Sequence, residues 1–132
     1  MRKRKTGGES RRLTDVELEL MTILWRVGEA TVTDVIDGLP AGRDLAYTSV
    51  STILRILEGK GVVAARKEGR GHVYAPLLAK SEYEAHAVKD VVNRVFAGVP
   101  VAMVRQLLDS MELSEDDLGE VRKLFGRAKE RK

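Results

Sequence analysis

Four times in this sequence a hydroxyl side chain stands three positions ahead of a carboxylate at the head of an apolar run: Thr14 with Glu17, Thr31 with Asp34, Ser81 with Glu84, and Ser114 with Asp117. At that spacing the hydroxyl accepts a backbone N–H of the first turn while the carboxylate reaches back to the N–H of the capping residue, so two donors that the helix itself cannot satisfy are paired. A chain punctuated in this way is committed to helices. Behind Thr14, Leu18, Met21, Leu24 and Trp25 recur at helical spacing, Leu13 and Leu18 staple the entry, and Gly28 stops the helix, with Trp25 expected as a core anchor. Behind Thr31 come Val32, Val35, Ile36 and Leu39, closed by Gly38, Pro40 and Gly42.

A third helix is expected from near Ala46 to Gly59–Gly61, with Val50, Ile53, Leu54 and Leu57 as its inner stripe. After Gly61 the period changes from helical to alternating. Val62–Lys67 and His72–Leu77 read as two strands joined by a turn at Glu68-Gly69-Arg70-Gly71. From Ser81 the pattern is helical again. One helix carries Ala87, Val88, Val91, Val95 and Phe96 up to Gly98 and Pro100, a second runs from Val101 to Met111 with Val104, Leu107 and Leu108, and a third follows Ser114 with Leu118, Val121, Leu124 and Phe125.

The expected fold class is therefore mainly α with one small β-hairpin: a basic arm over residues 1–12 expected to be disordered, a winged helix-turn-helix over 13–78, and a helical dimerisation region over 79–132. Three short helices at the end have little prospect of covering their own apolar stripes, because small units expose too much surface. Val88, Val91, Val95, Phe96, Val104, Leu107, Leu108, Leu118, Val121 and Phe125 are the residues expected to meet a second copy of the chain.

Charge points the same way. Residues 1–78 hold 13 Lys/Arg against 10 Asp/Glu, whereas residues 79–132 hold 10 against 10, so the net +3 lies in the first 78 residues, the part a polyanion would meet first. On the third helix the face opposite the core stripe presents Thr48, Ser51, Thr52 and Arg55 and no acid until Glu58. A helix entering the major groove needs such short hydrogen-bonding side chains, with an Arg for guanine or phosphate, and Thr52 and Arg55 lie in the middle of that face. Ser49 beside them and Arg43 ahead of the helix extend the candidate DNA-binding set. On the hairpin Arg66, Lys67, Arg70 and His72 are candidate contacts, with Gly69 and Gly71 allowing close approach to a phosphate backbone. Tyr74 is expected to pack rather than bind.

Other classes of function find little support. Two separated histidines, no cysteine and no glycine-rich phosphate loop provide neither a nucleophile with its base nor a metal cluster, so no enzyme, metal or cofactor is expected. A winged helix used only for protein contacts would bury an apolar patch on its third helix, and this outer face reads as polar. No apolar run is long enough for membrane insertion and no secretory signal is visible, so a cytoplasmic location is expected.

The run Leu13-Thr14-Asp15-Val16-Glu17-Leu18-Glu19-Leu20-Met21 with Ile23-Leu24-Trp25 resembles the opening of the penicillinase-repressor (BlaI/MecI) family. So does Ala46-Tyr47-Thr48-Ser49-Val50-Ser51-Thr52-Ile53-Leu54-Arg55-Ile56-Leu57, followed by Lys60-Gly61 and a hairpin ending in Tyr74. The resemblance covers about residues 12–127. It implies a homodimeric repressor on a palindromic operator, controlling a β-lactamase-type or stress-response operon. It also implies a membrane sensor-protease system as partner, because some members are released when a sensor-triggered protease cuts the dimerisation region. The corresponding place here is Gln106-Leu107, which stands where those members carry Asn-Phe. The copper-responsive branch of the family uses cysteine ligands, which this chain lacks.

Overall fold

A computed structural model describes residues 12–131, so the arm expected over residues 1–12 lies, apart from Arg12, outside the described residues. The elements are α1 (Asp15–Val27), α2 (Val32–Asp37), α3 (Tyr47–Gly59), β1 (Val63–Glu68), β2 (Gly71–Pro76), α4 (Lys80–Val95), α5 (Pro100–Ser110) and α6 (Glu115–Glu130). The chain divides into two compact units, the first running to Asp90 and the second starting at Val91.

In the first unit the capping boxes form as their spacing requires. Thr14 Oγ1 accepts from Glu17 N–H at 3.1 Å while Thr14 N–H donates to Glu17 Oε1 at 2.9 Å, and Thr31 and Asp34 repeat the arrangement. α1 ends where Gly28, at φ 92, turns its N–H back to the Leu24 carbonyl. The buried face of α1 is centred on Leu20, Met21, Ile23 and Leu24, whereas Leu18 and Trp25 of the expected stripe lie half-buried at its margins. Against that face pack Val35 of α2 and Val50, Leu54 and Leu57 of α3, with Val62 and Val63 beneath, all fully buried.

The hairpin is antiparallel in the register Val63↔Pro76 to Glu68↔Gly71, one residue later at its start and one earlier at its end than expected. Only Gly69 and Arg70 remain in the loop. Gly69 takes φ 61 at the first loop position, where a type II′ turn demands glycine. Two backbone bonds between Ala30 and Tyr74, of 2.9 and 2.8 Å, fasten β2 to the link between α1 and α2, and the Tyr74 ring is buried as expected. Trp25 anchors the next element: its Nε1–H donates to the Leu78 carbonyl at 2.8 Å and its ring meets Tyr83 of α4 at 5.9 Å.

α4 starts at Lys80, two residues earlier than Ser81 capping would place it. The Glu82 carboxylate accepts the Ala79 N–H at 3.1 Å, so Ser81 falls inside the first turn instead of capping it. In the second unit, positive φ at Ala97 (51) and Gly98 (80) ends α4, and Pro100 opens α5 without an amide hydrogen to leave unpaired. The Ser114–Asp117 box opens α6. Among the described residues, neither α5 nor α6 contains a buried side chain.

Candidate nucleic-acid interface

The core fixes which side of α3 is free. With Val50, Leu54 and Leu57 turned inward, Thr48, Ser49, Thr52 and Arg55 are exposed and Ser51 is half-exposed, so the structure brings the predicted helix residues onto one surface. Thr48, Ser49, Thr52 and Ile53 line a shallow dent on it. The first turn holds no acid and its capping residue, Ala46, offers no side-chain acceptor, which leaves the N-terminal amides of α3 open to an anion.

The predicted hairpin cations divide into two groups. Lys67, Arg70 and His72 are exposed, with Lys67 and His72 directly opposite each other across the ladder. Arg66 is engaged, with Nη1 3.0 Å from Glu29 Oε2 and Nη2 3.6 Å from Glu68. The hydrogen bond to Glu29 is the chief reason its guanidinium pKa is raised. Arg43 is likewise engaged, its Nε and Nη2 forming a fork with both Glu19 oxygens at 2.8 Å. That fork lowers the Glu19 pKa and raises that of Arg43. The two arginines therefore present to any polyanion a charge already shared with a carboxylate.

One pair that fixes α3 was not visible in the sequence. Glu17, 6% exposed, accepts the Lys60 ammonium at 2.6 Å, tying the C-terminal end of α3 to the first turn of α1. Burial by itself would raise the Glu17 carboxyl, but the bonds from Lys60 and from the Thr14 N–H outweigh it and the pKa is lowered. The capping signature accounted for Glu17 completely and so hid its second partner. Ile56 was also passed over, although it lies one turn beyond Thr52 and is 46% exposed.

Gln106 and Leu107 sit within α5 and are exposed, and Val88, Val95, Leu107, Leu108 and Phe125 are exposed too. Val91, Phe96, Val104, Leu118 and Val121 are half-buried. No single helix among the described residues is long and apolar enough to cross a membrane.

Three helices and a hairpin, with a third helix whose outer face carries Thr48, Thr52 and Arg55 and no acid before Glu58, and cations on the wing, define a winged-helix DNA-binding transcriptional regulator. Residues 13–127 match the model of the penicillinase repressor, and the chain belongs to that family of DNA-binding transcriptional repressors, which are not enzymes. It is 29% identical over 120 residues to the penicillinase repressor of Bacillus licheniformis, covering 91% of this chain and 94% of that one. It is 40% identical over 82 residues to the transcriptional regulator BlaI of Mycobacterium tuberculosis, covering 61% of this chain and 59% of that one. The solution structure of the Bacillus licheniformis BlaI monomeric form in complex with the blaP half-operator is 32% identical, covers 55% of this chain and 88% of that chain, and has a TM-score of 0.46.

Proposed function

We propose that two copies of this chain bind a palindromic operator together, each laying α3 in the major groove and setting its hairpin against the flanking phosphates. The outward face of α3 carries this reading. Thr48, Ser49, Ser51 and Thr52 offer short donors and acceptors to base edges, and Arg55 alone among them has the reach and fork geometry to bond guanine O6 and N7. Lys67, Arg70 and His72 are the free groups for phosphate, with Arg43 and Arg66 contributing only so far as their carboxylates release them.

The second copy answers the condition of the last two helices. α5 and α6 contain no buried side chain within one chain, and Leu107, Leu108 and Phe125 stand 44%, 43% and 54% exposed. Such surface is normally covered by an interface. Pairing the copies would set two α3 helices on one face of the duplex about 34 Å apart, or a multiple of it. For release we assign the sensor-protease route to Gln106–Leu107, in the exposed middle of α5, where a cut would part α6 from the rest of the dimerisation region. Replacing Arg55 with Ala tests the reading helix: operator affinity should fall by about 1–3 kcal/mol while affinity for random duplex changes little. An unchanged operator affinity would show that α3 does not read the groove.

A further inference from the structure

At about 100° per residue, the outward face of α3 separates into two lanes. Thr48 and Thr52 run down its middle; Arg55 and Ser51 lie to one side, while Ser49, Ile53 and Ile56 lie to the other. The first side offers hydrogen bonds. The second offers methyl groups: Ile53 lines the dent beside the two threonines, and Ile56 is 46% exposed one turn further on. Core packing does not account for Ile56, since Val50, Leu54 and Leu57 already fill the inner side of the helix. A protein-binding patch does not account for it either. Its outward neighbours, Thr52 and Gly59, are too small to make a continuous apolar surface.

Resting on the reading of α3 as the groove-entering helix, we propose that Ile56 and the threonine methyls of Thr48 and Thr52 recognise the 5-methyl groups of thymine. Thymine carries the one apolar group that a base presents in the major groove, and a methyl on the protein side gains by excluding water from it. Ile56 is thereby a specificity-determining residue. Arg55 fixes the hydrogen-bonding positions, and the apolar lane distinguishes thymine from cytosine.

Two steps with the full-length chain test this. Enrichment from a random duplex pool supplies the preferred operator, and each thymine in it is then replaced singly by deoxyuridine, which keeps the pairing and removes only the methyl. Affinities are compared by fluorescence anisotropy at one fixed salt concentration. At least one thymine per half-site should lose about fourfold in affinity on this change, the worth of one buried methyl. In Ile56→Ala, or in Thr52→Ser, which keeps the hydroxyl, one such thymine should become indistinguishable from deoxyuridine. A preferred operator indifferent to deoxyuridine at every position overturns this inference alone, as does unchanged thymine discrimination in both variants. A pool that yields no preferred sequence overturns the repressor reading and this inference with it.

Discussion

The winged-helix unit and the carboxy-terminal unit use the same local devices with opposite results. α1 and α6 both open on a complete capping box. Yet α1 buries Leu20, Met21, Ile23 and Leu24, whereas in α6 Leu118 and Val121 are no more than half-buried. Caps and periodic apolar residues decide that a segment is helical; burial needs a second surface, and the first unit supplies it for a whole core whereas the second buries only Val92 among its described residues. Stability in the first unit therefore belongs to the single chain, whereas under the proposed pairing that of the second would depend on association.

The largest effect that would undo this contrast comes from the core of the first unit. Leu24→Ala should lower the unfolding free energy by about 2–5 kcal/mol, measured by denaturant titration, equally at low and high protein concentration. Leu108→Ala should instead shift the midpoint in a way that depends on protein concentration, because folding of its unit is linked to association. Next in size, Phe125→Ser and Leu108→Ser should each weaken self-association about 10- to 100-fold by sedimentation equilibrium, leaving the helical signal of the first unit intact.

A smaller effect lies within the winged unit itself. Glu17→Gln keeps the cap but removes the charge that Lys60 bonds, and should cost about 1 kcal/mol at neutral pH. The Glu17 carboxyl titrates below its ordinary 4.5 in the folded chain, so its charge supports the fold fully above that value and the support is lost as pH falls through the folded pKa. Wild type and variant should therefore converge in acid, and a gap that persisted there would remove the ion pair as the cause. Smallest of all, neutralising exposed Lys67 or Arg70 should leave folding unchanged and reduce the salt slope of DNA affinity by about one for each phosphate left without its cation.

What could be read in the sequence was whatever is decided within a turn or two of chain. Thr14 with Glu17, Thr31 with Asp34 and Ser114 with Asp117 lie three residues apart, so their pairing needs no knowledge of the fold. The same rule misplaced the start of α4. Ala79 has no capping side chain to advertise it, and only its N–H, taken up by Glu82, reveals the boundary. Glu17 with Lys60, Glu19 with Arg43 and Glu29 with Arg66 were invisible because 43, 24 and 37 residues separate them and the tertiary fold brings them together. Periodicity likewise found the polar outer face of α3 but missed Ile56 on it. Ile56 falls between the inner stripe of Val50, Ile53, Leu54 and Leu57 and the polar face, and only the packing of the neighbouring elements shows that it is left 46% exposed.

Under the proposed function, operator recognition is the work of two copies acting as one reader, and the symmetry of the preferred DNA decides whether they do. Duplexes enriched from a random pool by the full-length chain should contain an inverted repeat whose half-site centres lie about 34 Å, or a multiple of it, apart along the helix axis. A single unrepeated motif would contradict the dimeric reader, and the absence of any enriched sequence would contradict the reading of α3 itself.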